Sequence, residues 1–344
     1  MTLHLVGMGL GSVNYLTKGA LEAAARSDKI YLDTYTSPID ESLLNHLRRE
    51  FGEKLIEADR SLLEEGASRI VEEAGEGDVC VLVPGDPLIA TTHLTLILEA
   101  ARRGIGFRIV HGVSAHTALI SSSLLQAYKF GRTVTIPRSG VGVETCYRAI
   151  LENMERGLHT LILLDTAGGG LRIPEALRML AEAEEKLGRG LITDDRLVIC
   201  LARIGFSDEF RWAGPLGEAM DKGFPPPPHS LIFPGILHFA EAEALVSVLK
   251  ASREIVERHK PIRCMRSRVQ KYVFNVEQAL KEMKLLKASS EIREVVGLAE
   301  DYLEDSRRFL SEGRLADSLA AISYAEGLLD SLRIMGLAEF SWPR

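Results

Sequence analysis

The first third of the chain alternates between short apolar runs and longer stretches with helical spacing. Largely β-branched, apolar runs occupy residues 3–6, 29–32, 55–56, 78–83 and 107–110. Runs of this kind fill parallel strands that are buried on both faces, and the amphipathic stretches between them are typical of helices that cover such a sheet. The pattern predicts a doubly wound α/β lobe over residues 1–127. Its predicted helices cover residues 43–51, 62–74, 94–101 and 114–125.

A second alternation of strands and helices predicts another α/β lobe over residues 128–252. Residues 128–132, Tyr-Lys-Phe-Gly-Arg, are interpreted as the hinge between the two lobes. Residues 208–212 have a period of two after a turn, so we expect them to pair with the strong apolar strand at 196–205. The other predicted strands are 133–136, 160–165 and 230–233, and the predicted helices are 147–156, 173–187 and 239–249.

Beyond residue 250 the pattern becomes purely helical. Apolar stripes predict a small antiparallel three-helix bundle within residues 268–344. Residues 253–267 are predicted as a linker. They belong to a strongly basic stretch that extends to Lys271. For this stretch, a solvated helical face is favoured over an RNA-binding patch. The tail has no candidate nucleophile–base pair, which favours an interaction or oligomerisation role. Truncation after about Lys250 is therefore expected to preserve ligand binding by the two lobes.

Composition and charge narrow the class of protein. The chain has 344 residues, 46% hydrophobic and 26% charged, which is typical of a soluble protein with several cores. Its net charge of −7 argues against a general nucleic-acid-binding surface. Since no apolar run approaches roughly 18 residues and the first residues resemble a strand rather than a signal peptide, we expect a cytoplasmic protein without a membrane span.

The four cysteines are scattered and form no C-x-x-C pair. Cys80 and Cys200 lie inside apolar runs and are predicted to be reduced core residues. Neither Cys146 nor Cys264 changes this interpretation. No structural metal site is expected.

One stretch, residues 84–93 (P-G-D-P-L-I-A-T-T-H), stands out as a candidate ligand-binding loop. It follows the apolar strand at 78–83, and open α/β sheets bind ligands beyond the carboxyl ends of their strands. We expect Thr91 or Thr92 to cap the helix that follows. An ordinary strand–turn–helix connection explains Gly-Asp-Pro alone equally well.

Alternating glycines follow the first strand, at Gly7, Gly9 and Gly11. They resemble a dinucleotide-binding fingerprint, but serine occupies position 12, where that motif requires glycine. Its acidic ribose partner could only be Asp33. A tight turn that needs small residues for backbone packing is the favoured interpretation, and a dehydrogenase is a minor alternative.

Taken together, several stretches resemble one family. Residues 6–11, 31–37, 84–93 and 229–232 occur in the order found in the tetrapyrrole methylase superfamily, and residues 85–93 are similar to the signature of its diphthine synthase family. The resemblance extends over roughly residues 1–250. The tail resembles a small archaeal domain of unknown function. Further matches to the diphthine synthase family are residues 128–131, 155–161, 193–195 and 201–203.

The resemblance implies a two-lobed tetrapyrrole-methylase-like α/β fold with the helical bundle appended. It also implies transfer of methyl groups from S-adenosylmethionine, leaving S-adenosylhomocysteine, to the amino group of a 3-amino-3-carboxypropyl-histidine on translation elongation factor 2, in diphthamide biosynthesis. The protein would be an archaeal, cytoplasmic homodimer. The cofactor-binding positions carried over from the family are Leu10, Asp86, Ile89, Ser114, Ala115, Leu164, Ile204 and His229.

Asp86 is the natural partner for the cationic end of the cofactor or for a ribose hydroxyl, and it could equally cap the following helix. The sequence identifies no catalytic base, although His111, His116 and Asp33 are plausible neighbours of the cleft. Two other functions stay open. One is a superfamily enzyme that acts on a corrinoid, a porphyrin or ribosomal RNA, and the other is an inactive, cofactor-binding scaffold.

Overall fold

The apolar runs of the first lobe form a fully parallel five-stranded sheet in the computed structural model, which describes residues 1–262, 265–287 and 289–343. The strands lie in the order β3–β2–β4–β1–β5, so the first strand of the chain lies between the fourth and the fifth. The strands are β1 (Thr2–Gly7), β2 (Lys29–Asp33), β3 (Leu55–Ala58), β4 (Val79–Val83) and β5 (Gly106–Val110).

Helices cover both faces of this sheet, as the continuous apolar runs predicted. Alternate residues of β4 point to opposite sides: Val79, Val81 and Val83 join one hydrophobic core, and Cys80 and Leu82 join the other. Burying a side chain of this size contributes about 1.5–3 kcal/mol. The helices are α1 (Lys18–Arg26), α2 (Glu41–Phe51), α3 (Arg60–Glu64), α4 (Ala67–Glu76), α5 (Leu94–Arg102) and α6 (Ala115–Ser122).

The second lobe has a mixed five-stranded sheet in the order β6–β7–β10–β8–β9. Only β6 and β7 run parallel to each other; the other neighbouring pairs are antiparallel, including the predicted pair β8–β9. The strands are β6 (Val134–Ile136), β7 (Thr160–Leu164), β8 (Leu197–Ala202), β9 (Phe210–Pro215) and β10 (His229–Phe233). The helices are α7 (Val143–Glu155), α8 (Ile173–Leu187), α9 (Leu216–Asp221), α10 (Phe239–Ser247) and α11 (Arg253–Arg258).

A buried polar cluster fixes the hinge segment to the second lobe. The Glu241 carboxylate accepts hydrogen bonds from Gln126 N at 2.8 Å, from the Lys129 ammonium and from His159 Nε2 at 3.1 Å. The other ring nitrogen of His159 accepts a hydrogen bond from Gly235 N at 2.9 Å. Because Nδ1 accepts and Nε2 donates, the ring is neutral, and its burial lowers the pKa of His159 to about 4.

The chain divides into two units, Met1–Pro261 and Ile262–Arg344. The second unit contains the three predicted helices around a core of its own. A short antiparallel ribbon, which the sequence did not predict, pairs Lys284–Leu285, after the first helix of this unit, with Ala338–Glu339, after the third. The elements are α12 (Met265–Glu282), β11 (Lys284–Leu285), α13 (Ser290–Ser311), α14 (Leu315–Ile334) and β12 (Ala338–Glu339).

The structure confirms the predicted fold class but corrects local details. The helix expected at 62–74 is two helices, because the chain turns at Gly66 between α3 and α4. α5 begins after His93 and has no side-chain cap; Thr91 Oγ1 instead donates to Pro87 O. Cys80 and Cys200 are buried thiols, as predicted, whereas Cys264 lies outside the described residues.

The end of the second lobe extends beyond residue 252. Ala251 and Val256 are both buried in its hydrophobic core, and α11 therefore packs as part of this lobe. The first residues of the basic stretch belong to a folded helix.

Candidate active site

Three glycines at the carboxyl ends of β1, β4 and β5 allow three loops of the first lobe to meet. A Cβ atom on Gly7 would lie 2.6 Å from both Gly112 N and Gly85 O, and one on Gly112 would lie 2.3 Å from Gly85 O. Gly9 and Gly85 also form a backbone bridge, with Gly85 N donating to Gly9 O at 2.7 Å. The glycines therefore serve backbone packing, as the favoured interpretation of the sequence held.

The loops of the first lobe also meet the second lobe closely. A Cβ on Gly205, which has a φ of +92°, would lie 2.4 Å from Leu10 Cβ. Thr166 Oγ1 donates a hydrogen bond to Thr36 O at 2.9 Å, from one lobe to the other. These contacts close one side of a cleft between the two sheets.

This cleft holds a cavity of about 240 Å³ between the strand ends of the two lobes. Seven of the residues predicted from the sequence line it together: Leu10, Asp86, Ile89, Ala115, Leu164, Ile204 and His229. Ser114 does not line the cavity. Its side chain caps α6 by accepting a hydrogen bond from His116 N at 3.2 Å, and this cap places Ala115 at the cavity wall.

Asp86 presents a carboxylate to a largely apolar cavity. The residue is only 7% exposed. Its Oδ1 accepts a hydrogen bond from Leu88 N at 3.1 Å, and its Oδ2 lies 2.9 Å from Nδ1 of His111, whose side chain is 77% exposed. The carboxylate thus orders the turn at Leu88 rather than capping α5, which begins at Leu94. An ionised carboxylate accepts about four hydrogen bonds, so acceptor positions are left for a cationic or hydroxyl group.

His229 holds the second-lobe wall in place. Its Nδ1 accepts a hydrogen bond from Ile173 N at 3.1 Å, so the protonated Nε2 donates to Pro225 O at 2.7 Å. Burial lowers the pKa of His229. A neutral imidazole with both ring nitrogens hydrogen-bonded is suited to fixing the backbone of β10 and not to proton transfer.

The sequence missed several polar residues of the cavity. Asp165 is the most prominent: its Oδ1 accepts from Ala167 N at 2.9 Å and its Oδ2 accepts from Arg138 N at 3.0 Å. Its position directly after the strand β7 was the available signal. The clustered hydroxyls after β2 were a second signal. The other missed lining residues with polar side chains are Thr36, Ser37, Thr135, Thr166 and Ser230.

The structure also excludes the dinucleotide alternative. Asp33 is fully buried, and its Oδ1 accepts hydrogen bonds from Tyr35 N and Thr36 N, both at 2.9 Å. It is therefore unavailable to a ribose hydroxyl. The strand order β3–β2–β4–β1–β5 also differs from the 3-2-1-4-5-6 order of dinucleotide-binding folds. His116 Nε2 lies 2.9 Å from Thr133 Oγ1 and is not a lining residue.

Comparison with known proteins identifies the family. Residues 2–220 match the model of the tetrapyrrole (corrin/porphyrin) methylases, and residues 271–338 match a family described as a protein of unknown function, DUF357. A diphthine synthase of Saccharolobus solfataricus is 40% identical over 255 residues, which are 72% of this chain and 99% of that protein. A diphthine synthase of Methanothermobacter thermautotrophicus is 38% identical over 262 residues, 74% of this chain and 98% of that protein.

A solved crystal structure of a diphthine synthase is also similar. It superposes with a TM-score of 0.67 at 32% sequence identity. The match covers 75% of this chain and 99% of that chain. The fold and the site thus define a methyltransferase, and the chain belongs to the tetrapyrrole methylase family. Within that family it belongs to the diphthine synthases, which are S-adenosylmethionine-dependent methyltransferases.

Proposed function

We propose that this protein transfers methyl groups from S-adenosylmethionine to the amino group of the 3-amino-3-carboxypropyl-histidine of translation elongation factor 2. The product is diphthine, an intermediate of diphthamide. One observation carries the proposal: two diphthine synthases align with this chain over almost their whole length at close to 40% identity.

The chemistry of the cleft fits the proposed cofactor. Adenine and ribose need apolar walls and backbone donors and acceptors, and the α-ammonium group needs a carboxylate. Asp86 supplies that carboxylate, and Leu10, Ile89 and Ala115 supply apolar surface beside it. We assign cofactor binding to Leu10, Asp86, Ile89, Ser114, Ala115, Leu164, Ile204 and His229, with Ser114 acting through the cap that places Ala115.

When bound, S-adenosylmethionine supplies a methyl group on a positively charged sulfur. The protein has to align the acceptor amine with that methyl group and exclude water, which a closed cleft between two lobes achieves by proximity and desolvation. The fixed loops at Gly85 and Thr36 provide a rigid wall for this alignment. Catalysis by alignment implies that many single substitutions slow transfer without abolishing it.

The proposal extends to the setting of the reaction. The organisms of the two diphthine synthases compared above, the resemblance of the tail and the substrate support an archaeal, cytoplasmic enzyme that acts on a protein substrate. The homodimer is proposed from the family resemblance. No helix of the described residues is long and apolar enough to cross a membrane.

Incubation with labelled S-adenosylmethionine tests the function. We expect label on elongation factor 2 that carries the 3-amino-3-carboxypropyl-histidine and none on the unmodified factor, which is the matched control. Label on a corrinoid, a porphyrin or ribosomal RNA, and not on the factor, contradicts the proposal. Binding of S-adenosylhomocysteine without transfer to any of these substrates contradicts it in favour of a scaffold role.

A further inference from the structure

A buried acid–imidazole pair, Asp33 and His93, lies beside the cleft without lining it. Asp33 is 0% exposed and His93 is 2% exposed. His93 Nε2 lies 3.2 Å from Asp33 Oδ2, but the contact is poorly aligned for a hydrogen bond. Neither ring nitrogen of His93 has a hydrogen-bond partner among the described residues. Buried polar groups without partners are costly, so this pair calls for an explanation beyond stability.

Asp33 controls the first of two loops that the pair joins. Its Oδ1 accepts hydrogen bonds from Tyr35 N and Thr36 N and so sets the turn that leaves β2. Thr36 and Ser37, the next residues, line the cavity. Thr36 O then accepts the hydrogen bond of Thr166 from the second lobe. The position of Asp33 thus determines both a cavity wall and a contact between the lobes.

His93 controls the second loop. It ends the stretch that carries Asp86, Ile89 and Ala90 to the cavity. Its ring stacks on Tyr35 with a centroid distance of 6.2 Å and an interplanar angle of 23°. Tyr35 Oη lies 3.2 Å from Thr92 Oγ1, which connects the same two loops a second time.

We propose that Asp33 and His93 are positioning residues. They hold the Thr36 loop (residues 33–37) and the Asp86 loop (residues 84–93) in the relative position that cofactor binding requires. This inference rests on the proposed function, because the ligand that binds between these loops is S-adenosylmethionine. The contact between Asp33 Oδ2 and His93 Nε2 joins the two loops at a point where neither can shift without separating the buried acid from the imidazole. The expected consequence is specific to cofactor binding and does not require either residue to touch the cofactor.

The chain offers a matched control in the second lobe. His159 and Glu241 form another fully buried imidazole–acid pair, but all their contacts are well-formed hydrogen bonds and neither residue lines the cavity. A substitution at His159 or Glu241 is expected to destabilise the protein without altering the relative position of the Thr36 loop and the Asp86 loop. Comparing the two pairs separates positioning from general stability.

The experiment measures calorimetric affinity for S-adenosylhomocysteine with the full chain. For His93→Gln and Asp33→Asn we expect affinity about tenfold weaker each, and the double variant no weaker than the weaker single, because the two residues act as one unit. In transfer assays the KM for S-adenosylmethionine rises while kcat stays within about twofold of wild type. His159→Gln lowers the melting temperature and keeps wild-type affinity.

A further variant, Tyr35→Phe, keeps the buried pair and the ring that stacks on His93, and removes the hydroxyl that contacts Thr92 in the second loop. Tyr35 does not line the cavity, so the change acts through the contact between the loops and not on the ligand directly. It is expected to weaken affinity in the same direction, and it tests the inference if the buried variants do not fold. Wild-type affinity in the His93, Asp33 or Tyr35 variants overturns the inference, as does an equal loss in His159→Gln. If the wild type binds no S-adenosylhomocysteine, the proposed function falls and this inference falls with it.

Discussion

The position of Asp86 in the cavity could be predicted from the sequence, but its side-chain contacts could not. Its place after a buried strand made it a candidate ligand residue, and the structure places its carboxylate at the cavity wall. Its contact with His111 was not predictable, because residues 25 positions apart meet only through the packing of β1, β4 and β5.

Asp86→Asn is expected to weaken the binding of S-adenosylhomocysteine at least about tenfold, because an amide keeps the size of the side chain but loses the charge that attracts an ammonium group. Isothermal titration calorimetry measures the effect. The control is Asp221→Asn, which changes the same charge at an exposed position outside the cavity. Equal affinities of Asp86→Asn and wild type would remove Asp86 from the cofactor site.

His159 predicts a dependence of stability on pH. Its pKa is about 4 in the folded protein, below the ordinary 6.5, so the unfolded chain binds the proton first as pH falls. The free energy of unfolding should therefore decrease between about pH 6.5 and 4, by on the order of 2–3 kcal/mol from this residue. Urea unfolding at several pH values measures the slope, which should be smaller in His159→Gln. An unchanged slope contradicts the assignment.

At the scale of elements, the sequence predicted which segments form strands and helices better than where each begins. Apolar period and β-branching identified β1, β4, β8 and β10, because burial on both faces leaves a continuous signal. The break at Gly66 and the ribbon β11–β12 were missed because they depend on tertiary packing and on strands of two residues.

The close approach of Gly7, Gly85 and Gly112, called here the three-glycine junction, predicts a large loss of stability when a side chain is added. Gly7→Ala and Gly112→Ala place a methyl group within 2.6 Å and 2.3 Å, respectively, of backbone atoms that cannot move independently. We expect each to lower the free energy of unfolding by about 1–3 kcal/mol or more, as overpacking does. Gly223→Ala, where nothing lies within 4 Å, should change it by less than about 0.5 kcal/mol. Chemical denaturation compares the three, and equal values would refute the junction.

In the whole molecule, the two lobes form one compact unit and the helical tail another. The sequence placed a safe truncation near Lys250, but Ala251 and Val256 are buried in the core of the second lobe. The cut therefore belongs after Pro261, because loss of the buried Val256 side chain alone costs the lobe about 1.5–3 kcal/mol.

A chain of residues 1–261 is expected to fold and to bind S-adenosylhomocysteine with the affinity of the full chain, because its core and its cavity are complete without the tail. A chain that ends at Lys250 should melt at a lower temperature. Circular dichroism and calorimetry measure both. Loss of ligand binding in the longer fragment would show that the tail contributes to the site.

The central claim is that the cleft between the two lobes holds the methyl donor. A crystal structure of the protein with S-adenosylhomocysteine tests it most directly. We expect the ligand between the two sheets, with its ammonium group at Asp86 and its adenosine against Ala115, Leu164 and Ile204. A ligand bound elsewhere, with this cavity left empty, would contradict it.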